Sequence, residues 1–410
     1  MTTVIRDRMG QTPVLLVEGA RSVGKSTLLR QLAAEVNATF FDFDDEQVLS
    51  LANVDLPALV GGPLPIFVDE YQREPELLTA IKARLNTQTE FGMFVLAGST
   101  SFDSLPASIQ ALTGRIQRVT LEPLAQAEID SVDGSVVDQI FTGNYGAPKR
   151  VSRTSRADYV HRVTRGGMPL ALAQPSDAAR ARWFEGYFAQ VIDRDLRQVR
   201  REEKGFDVRA LVRQLAFQTG RVINHSKAAT RLEVSIPTVV ANRGYLESLF
   251  VLDTLPAWGT TITQRVAKSP KLHVVDSGFA SYLIGLSPEK LERRDPSALT
   301  DFGYVLESFV VREVMRHVAW METPTQFGHW RSLDGDEVDL IVERFDGSVM
   351  GIEVKAGVKI EKKDIRGLQT VKQRLGSSFV GGIIFHLGER SYEIEDKIFV
   401  LPVDALWSEG

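Results

Sequence analysis

The sequence predicts an α/β protein of more than one domain, and three observations predict it. Short apolar strands alternate with amphipathic helices through the N-terminal third. One strand-to-helix passage there carries a glycine-rich loop, Gly19 to Ser26. The alternation of helix and strand returns from residue 302 to the end. Elements alternating in this way bury a mostly parallel sheet under helices. A chain of 410 residues, at ~150 per domain, is expected to hold two or three cores.

Composition narrows the chemistry. Apolar residues make up 43% and charged residues 25% of the chain, a globular balance rather than a disordered or fibrous one. There is no cysteine, which excludes disulfides, thiolate metal sites and a cysteine nucleophile. The histidines (His161, His225, His273, His317, His329 and His386) show no metal-ligand spacing. No apolar run approaches the ~20 residues that span a bilayer. The opening MTTVIRDRMG mixes acid and base before its apolar stretch, unlike a signal peptide, so the chain is expected in the cytoplasm, away from membranes.

The first element is the most informative. Val14–Val17 is a short buried strand, and Leu28, Leu29 and Leu32 recur at helical spacing behind it. Between them Gly19, Ala20, Arg21, Ser22, Val23, Gly24, Lys25 and Ser26 form G-x-x-x-x-G-K-S, followed by Thr27. Glycines let such a loop wrap a phosphate with its backbone N–H groups, and the helix N-terminus behind it favours the anion. Lys25 is expected on the β- and γ-phosphates and Ser26 on Mg²⁺. A nucleotide site with ATP and Mg²⁺ follows.

A phosphate loop needs an acidic strand beside it. Pro65–Glu70, PIFVDE, ends in Asp69 and Glu70. Asp69 is expected to hold Mg²⁺, and Glu70 to orient or deprotonate the attacking water. Alone, this pair could equally cap the helix at 74–86. A third strand, Met93–Ala97, runs into Ser99, where a polar side chain can sense the γ-phosphate. Arg115, before a strand at 116–121, is a candidate arginine finger for a neighbouring subunit, and equally fits a surface turn.

These segments, GARSVGKST, VDEYQREPELL, VLAGSTS and ALTGRIQRVTLEPLAQAE, resemble the AAA-type ATPase domain of a widespread prokaryotic family of ATP-binding proteins. Its members join that domain to a C-terminal domain of unknown function similar to PD-(D/E)XK nucleases. The resemblance continues through GGMPLAL at 166–172 and through Trp183, Tyr187, Asp195 and Leu196. It implies an AAA-type core and a nuclease-like end, while the trans role of Arg115 implies oligomers. One departure is visible: little sequence precedes the loop, so an adenine-contacting helix there is short.

The middle of the chain is basic. Between Lys149 and Arg165 stand six basic residues and one acid, and between Arg194 and Arg231 ten basic and four acidic residues. Such blocks fit a polyanion such as DNA, or solvated helix faces. Residues 207–219 pattern as a helix ending at Gly220. A short helix near 225–232, a turn at 233–235, a second helix at 236–248 and a hairpin at 249–258 then follow the winged helix-turn-helix order. The second helix is expected to expose Thr238, Asn242, Arg243 and Glu247.

From 302 to 318 an amphipathic helix carries Glu307, a hairpin at 329–347 carries Asp339, and a strand at 349–357 carries Glu353 and Lys355. Alternation places Glu353 and Lys355 on one strand face. Asp339 and Glu353 are expected to share a Mg²⁺ while Lys355 positions water and Glu307 adds a carboxylate. The D…E-x-K pattern is degenerate, and a structural network is its plain alternative. The expected division is 1–150 for the ATPase, 151–260 for the basic winged-helix region and 261–410 for the nuclease-like domain. Two readings stay open. One is an ATP-hydrolysing protein acting on DNA. The other is a nucleotide-dependent switch that binds a protein partner, regulatory, defensive or toxin–antitoxin-like, without cleaving nucleic acid.

Overall fold

The computed structural model describes the chain except residues 105–111, 133–135, 143–150, 193–206, 262–268, 322, 333 and 409–410. Lys149, Arg150, Asp195 and Leu196 lie outside the described residues. The described residues form two compact units. One comprises Met1–Pro123 and Gly244–Val251, and the other Leu124–Ile192, 207–243 and the residues from Leu252 onward.

In the first unit, five parallel strands are ordered β2-β3-β4-β1-β5: β1 Val14–Glu18, β2 Thr39–Asp42, β3 Ile66–Asp69, β4 Phe94–Gly98 and β5 Ile116–Thr120. Every residue of β1, β3 and β4 is buried, as expected of strands covered on both faces. Helix α1, Lys25–Val36, follows β1, and α2, Leu77–Thr87, turns Leu77, Leu78, Ile81 and Leu85 inward. Those leucines join Val14, Leu16, Val68 and Leu96 in one apolar core. Strand β1 lies between β4 and β5, so the loop leaving its carboxyl end opens where connections diverge, the usual ligand position of such sheets.

The second unit begins with helices α3, Arg156–Arg165, and α4, Asp177–Gln190. Helices α5, Val208–Ala216, α6, His225–Leu232, and α7, Ile236–Ser248, follow, and α7 starts here. A small sheet ordered β6-β8-β7 is built from Arg221–Val222, Leu252–Leu255 (β7) and Lys271–Val274 (β8). The hairpin expected at 249–258 is therefore wider: β7 pairs antiparallel with β8, not with the residues directly after it. The expected outer face of α7 is also corrected. Asn242 is buried and its amide donates to the Thr238 carbonyl at 2.7 Å, while Ile236, Pro237, Val240 and Ala241 are exposed.

Helix α8, Ser277–Ile284, precedes the 24-residue α9, Pro296–Ala319. The sequence reading began α9 at 302, and its true start is set by Asp295, whose carboxylate accepts from Ser297 and Ala298 N–H, with Pro296 in the first turn. A six-stranded mixed sheet, ordered β13-β14-β12-β11-β10-β9, completes the unit: β9 Thr325–Arg331, β10 Glu337–Arg344, β11 Val349–Lys355, β12 Phe379–His386, β13 Tyr392–Glu395 and β14 Ile398–Pro402. Helix α10, Arg366–Leu375, packs Leu368 and Val371 onto Val338, Ile341 and Ile384. Helix α9 lies against β10 and β11, on the face that carries Asp339 and Glu353. No helix among the described residues is long and apolar enough to cross a membrane.

Candidate functional site

The loop after β1 holds three residues at positive φ: Gly19 at 154°, Ser22 at 65° and Gly24 at 104°. A Cβ on Gly19 would stand 2.2 Å from the Leu121 carbonyl oxygen, and Leu121 is itself tied to β1, its N–H donating to Glu18 O at 2.7 Å. Gly24 caps α1, so the helix N-terminus, the positive end of its dipole, faces the loop. Lys25 is buried at the first position of α1, and its ammonium donates to the Gly19 and Ala20 carbonyls at 2.8 and 2.9 Å. The lysine is thus folded into the loop rather than extended into solvent.

Asp69, the last residue of β3, is 1% exposed. Burial pushes its carboxyl up, the Ser26 hydroxyl donating to it pulls it down, and the nearby Glu70 and Asp42 carboxylates push it up again. Ser26 and Asp69, each expected on Mg²⁺, are in hydrogen-bond contact with one another. Glu70 sits in the left-handed region, φ 52°, which turns its side chain away from β3. Its Oε2 accepts from the Gln72 amide and from Ser99 Oγ at 3.3 Å, and the same amide donates to Ser99 at 3.2 Å. Glu70, Gln72 and Ser99 form one ring at the carboxyl ends of β3 and β4.

Sequence reasoning missed Gln72, Tyr71 and Glu18. Gly98 makes room for the first two, since a Cβ there would meet Tyr71 Cε1 at 2.5 Å and Gln72 Oε1 at 2.6 Å. Glu18 is buried, which pushes its carboxyl up, and it accepts from the Phe102 N–H, which opposes that. Arg118 of β5 pairs with Asp103 at 2.8 Å and lies near Glu18. The signal for Glu18, an acid closing an otherwise apolar strand, was in the sequence.

Arg115 is not brought to the loop. It precedes β5, level with Val14 at the amino end of β1, and its guanidinium donates to Asn86 Oδ1 at 2.8 Å. Five strand residues at ~3.3 Å put it roughly 15 Å from the loop.

In the second unit the four residues expected to form a nuclease-like site do converge, with a fifth that was not expected. Asp339 stands at an irregularity in the β9–β10 pairing and accepts from Val354 N–H at 3.0 Å. Lys355 Nζ lies 2.6 Å from Glu353 Oε1 on the same face of β11. Between Asp339 and Glu307 sits the ammonium of Lys271, 2.8 Å from one and 2.7 Å from the other. Burial and the Asp339 charge push Glu307 up to about 8, against the opposing pull of Lys271. Glu353 is likewise pushed well up, first by burial and then by Asp339. Burial alone would lower Lys271, but the two carboxylates outweigh it and hold the ammonium charged. Among the described residues no group of three or more His, Cys, Asp or Glu is arranged to hold a metal ion.

A separate cleft of about 460 Å³ lies along α5 and the end of α6, lined by Arg209, Arg213, Arg231, Phe217 and Asp207. The Arg209 and Arg213 guanidiniums lie over the Phe188 ring, 5.7 and 5.6 Å from its centre.

A family model described as an AAA domain matches residues 11–130. Models described as domains of unknown function match 156–290 (DUF8612) and 302–406 (DUF4143). The uncharacterized protein Rv2008c of Mycobacterium tuberculosis is 25% identical over 414 residues, covering 99% of this chain and 83% of that protein. The uncharacterized protein Mb2031c of Mycobacterium bovis gives the same figures. Among solved structures, the Walker-type ATPase PABY2304 of Pyrococcus abyssi aligns over 69% of this chain and 94% of its own at 15% identity, TM-score 0.45. The RuvB Holliday junction branch migration motor of Thermotoga maritima aligns over 62% and 87% at 17% identity, TM-score 0.27. The match to the AAA domain, residues 11–130, takes in all five strands of the first sheet and the loop after β1.

Proposed function

We propose that this chain binds and hydrolyses ATP and uses the cycle to switch the state of the region beyond the ATPase core. The observation that carries the reading is the convergence of Lys25, Ser26, Asp69 and Glu70 at the carboxyl ends of β1 and β3. The backbone of Gly19 to Thr27 would cradle the phosphates, and Lys25 would exchange the Gly19 and Ala20 carbonyls for phosphate oxygens. Ser26 and Asp69 are hard oxygen donors side by side and fit Mg²⁺, which when bound neutralises phosphate charge. Glu70 would leave Gln72 and Ser99 to orient the attacking water, while Ser99 reports the γ-phosphate. Arg115, roughly 15 Å from its own loop, would serve a neighbouring subunit.

The functional division we assign is 1–150, 151–260 and 261–410. The order α5, β6, α6, α7, β7, β8 with sheet order β6-β8-β7 supports a winged-helix reading of the middle. Its second helix exposes Ile236 and Val240, which suits a protein contact better than a DNA groove. A second reading, DNA association, is favoured by the arginine-lined cleft beside Phe217, a combination suited to a phosphate backbone and a stacked base. ATP turnover with and without duplex or single-stranded DNA separates the two. Stimulation by DNA that disappears in Arg213→Glu supports DNA association. Turnover that ignores DNA at low salt leaves the protein-partner switch.

A further inference from the structure

The buried cluster of the second unit contains its own cation. Lys271 opens β8, the central strand of its small sheet, pairing with Val222 on one side and Leu255 on the other. Its Cα is therefore held by two neighbours, and its side chain crosses to Glu307 of α9 and Asp339 of β10, both ammonium contacts under 3 Å. Lys271, Asp339 and Glu353 are each 3% exposed and Glu307 9%. The oxygens are largely used. Asp339 accepts from Lys271 through Oδ1 and from the Val354 N–H through Oδ2, Glu307 takes Lys271, and Glu353 Oε1 takes Lys355. Glu353 Oε2 is the one oxygen in this set that is buried without a partner. A hard divalent ion needs six or more oxygens and keeps several of its waters, and this set offers neither the free ligands nor the space beside an ammonium.

We propose that Lys271 is the resident cation of the Glu307–Asp339–Glu353 cluster, standing where a divalent ion would otherwise bridge the carboxylates. The sheet that carries them is then a metal-free scaffold, and Lys271 fastens β8 of the small sheet to α9 and β10 of the large one. Two charge-assisted bonds, to Glu307 and to Asp339, use two of the three donors of the ammonium and tie the cation directly to both carboxylates. The same lysine explains how three carboxylates stay buried together: two lysines compensate them, and removing one leaves uncompensated charge in a dry interior.

The test is Mn²⁺ titration of the full chain without nucleotide, read by the electron paramagnetic resonance of free Mn²⁺, beside a plasmid-nicking assay in Mn²⁺. Wild type and Asp339→Asn are expected to bind Mn²⁺ alike and to nick no DNA. Lys271→Met, of similar length and uncharged, should gain a Mn²⁺ site at least tenfold tighter than any in wild type, and Lys271→Met/Asp339→Asn should lose it. Mn²⁺ binding or nicking by wild type that vanishes in Asp339→Asn overturns the proposal, as does a folded Lys271→Met with no gained site. If Lys271→Met does not fold, Lys271→Met/Glu307→Gln/Asp339→Asn decides. Recovery of the fold supports the pairing, and failure to recover overturns it. None of these readouts depends on ATP hydrolysis.

Discussion

Replacing Gly19 with alanine tests the loop through its geometry before any nucleotide is added. The new Cβ would stand 2.2 Å from the Leu121 carbonyl oxygen, at φ 154°. Leu121 has little freedom to retreat, because its N–H is bonded to Glu18 O. Overpacking of this kind costs about 1–3 kcal/mol, and a non-glycine residue at an unfavourable φ costs about 1–3 kcal/mol more, so Gly19→Ala should destabilise the first unit by about 2–6 kcal/mol. Gly24→Ala is the control. Its φ is 104°, but no atom lies within 4 Å of the added Cβ, leaving only the backbone cost, about 1–3 kcal/mol. The tryptophans, Trp183, Trp258, Trp320, Trp330 and Trp407, all belong to the second unit. Far-UV circular dichroism in urea therefore follows both units, while tryptophan fluorescence follows the second. The Gly19→Ala loss should appear in the dichroism and exceed that of Gly24→Ala by at least about 1 kcal/mol. Equal stability of the two variants would refute the packing argument.

Three further outcomes are expected. Mixing Arg115→Ala with Lys25→Ala chains should restore part of the ATPase activity that each lacks, and a chain that stays monomeric with ATP removes the trans role. DNA affinity should fall with salt at a slope of ~0.9 per phosphate neutralised, and Arg213→Glu should flatten that slope by about 1; an unchanged slope would take the cleft out of any DNA path. His317 is buried against Trp320 with its ring 4.7 Å away, and burial followed by the Arg316 charge lowers it to about 4. The unfolded imidazole takes a proton below ~6.5 while the folded one stays neutral, so the stability present above pH 6.5 is lost as pH falls toward 4. The slope from this residue is about 1.4 kcal/mol per pH unit. His317→Asn should flatten the acid limb of the stability curve by that amount, and an unchanged limb would show that His317 does not titrate as described.

What was legible in the sequence was local. The phosphate loop, the acid pair of β3 and Ser99 each sit within a few residues of a strand end, so strand, turn and helix signals place them together in an α/β sheet. The converging carboxylates were legible for a related reason, since Asp339 and Glu353 lie on adjacent strands of one hairpin. Lys271 was not. It stands 36 residues from Glu307 and 68 from Asp339, and a lysine after Pro270 at the head of a short strand carries no sequence signal of a buried contact. The outer face of α7 was misread because periodicity gives the spacing of a helix but not which side the rest of the unit covers. Polar Asn242 turns inward, where it donates to Thr238 O, and apolar Ile236 and Val240 stay outside. The start of α9 was missed although Asp295 and Pro296 spell a cap, because the apolar pattern strengthens only after Phe302. The β7–β8 pairing joins strands on either side of residues 256–270, too long a connection for turn chemistry to reveal.

The central claim is that Lys25, Ser26, Asp69 and Glu70 form an ATP-hydrolysing site, and one paired measurement tests it directly. Binding of a fluorescent ATP analogue and release of phosphate from ATP with Mg²⁺ are followed for wild type, Lys25→Ala and Glu70→Gln. Lys25→Ala is expected to lose nucleotide binding and turnover together, because its ammonium is the cation folded into the loop. Glu70→Gln is expected to bind as wild type does and to lose turnover by at least about a hundredfold, the scale of a removed general base. Wild-type affinity retained by Lys25→Ala, or wild-type turnover retained by Glu70→Gln, contradicts the account.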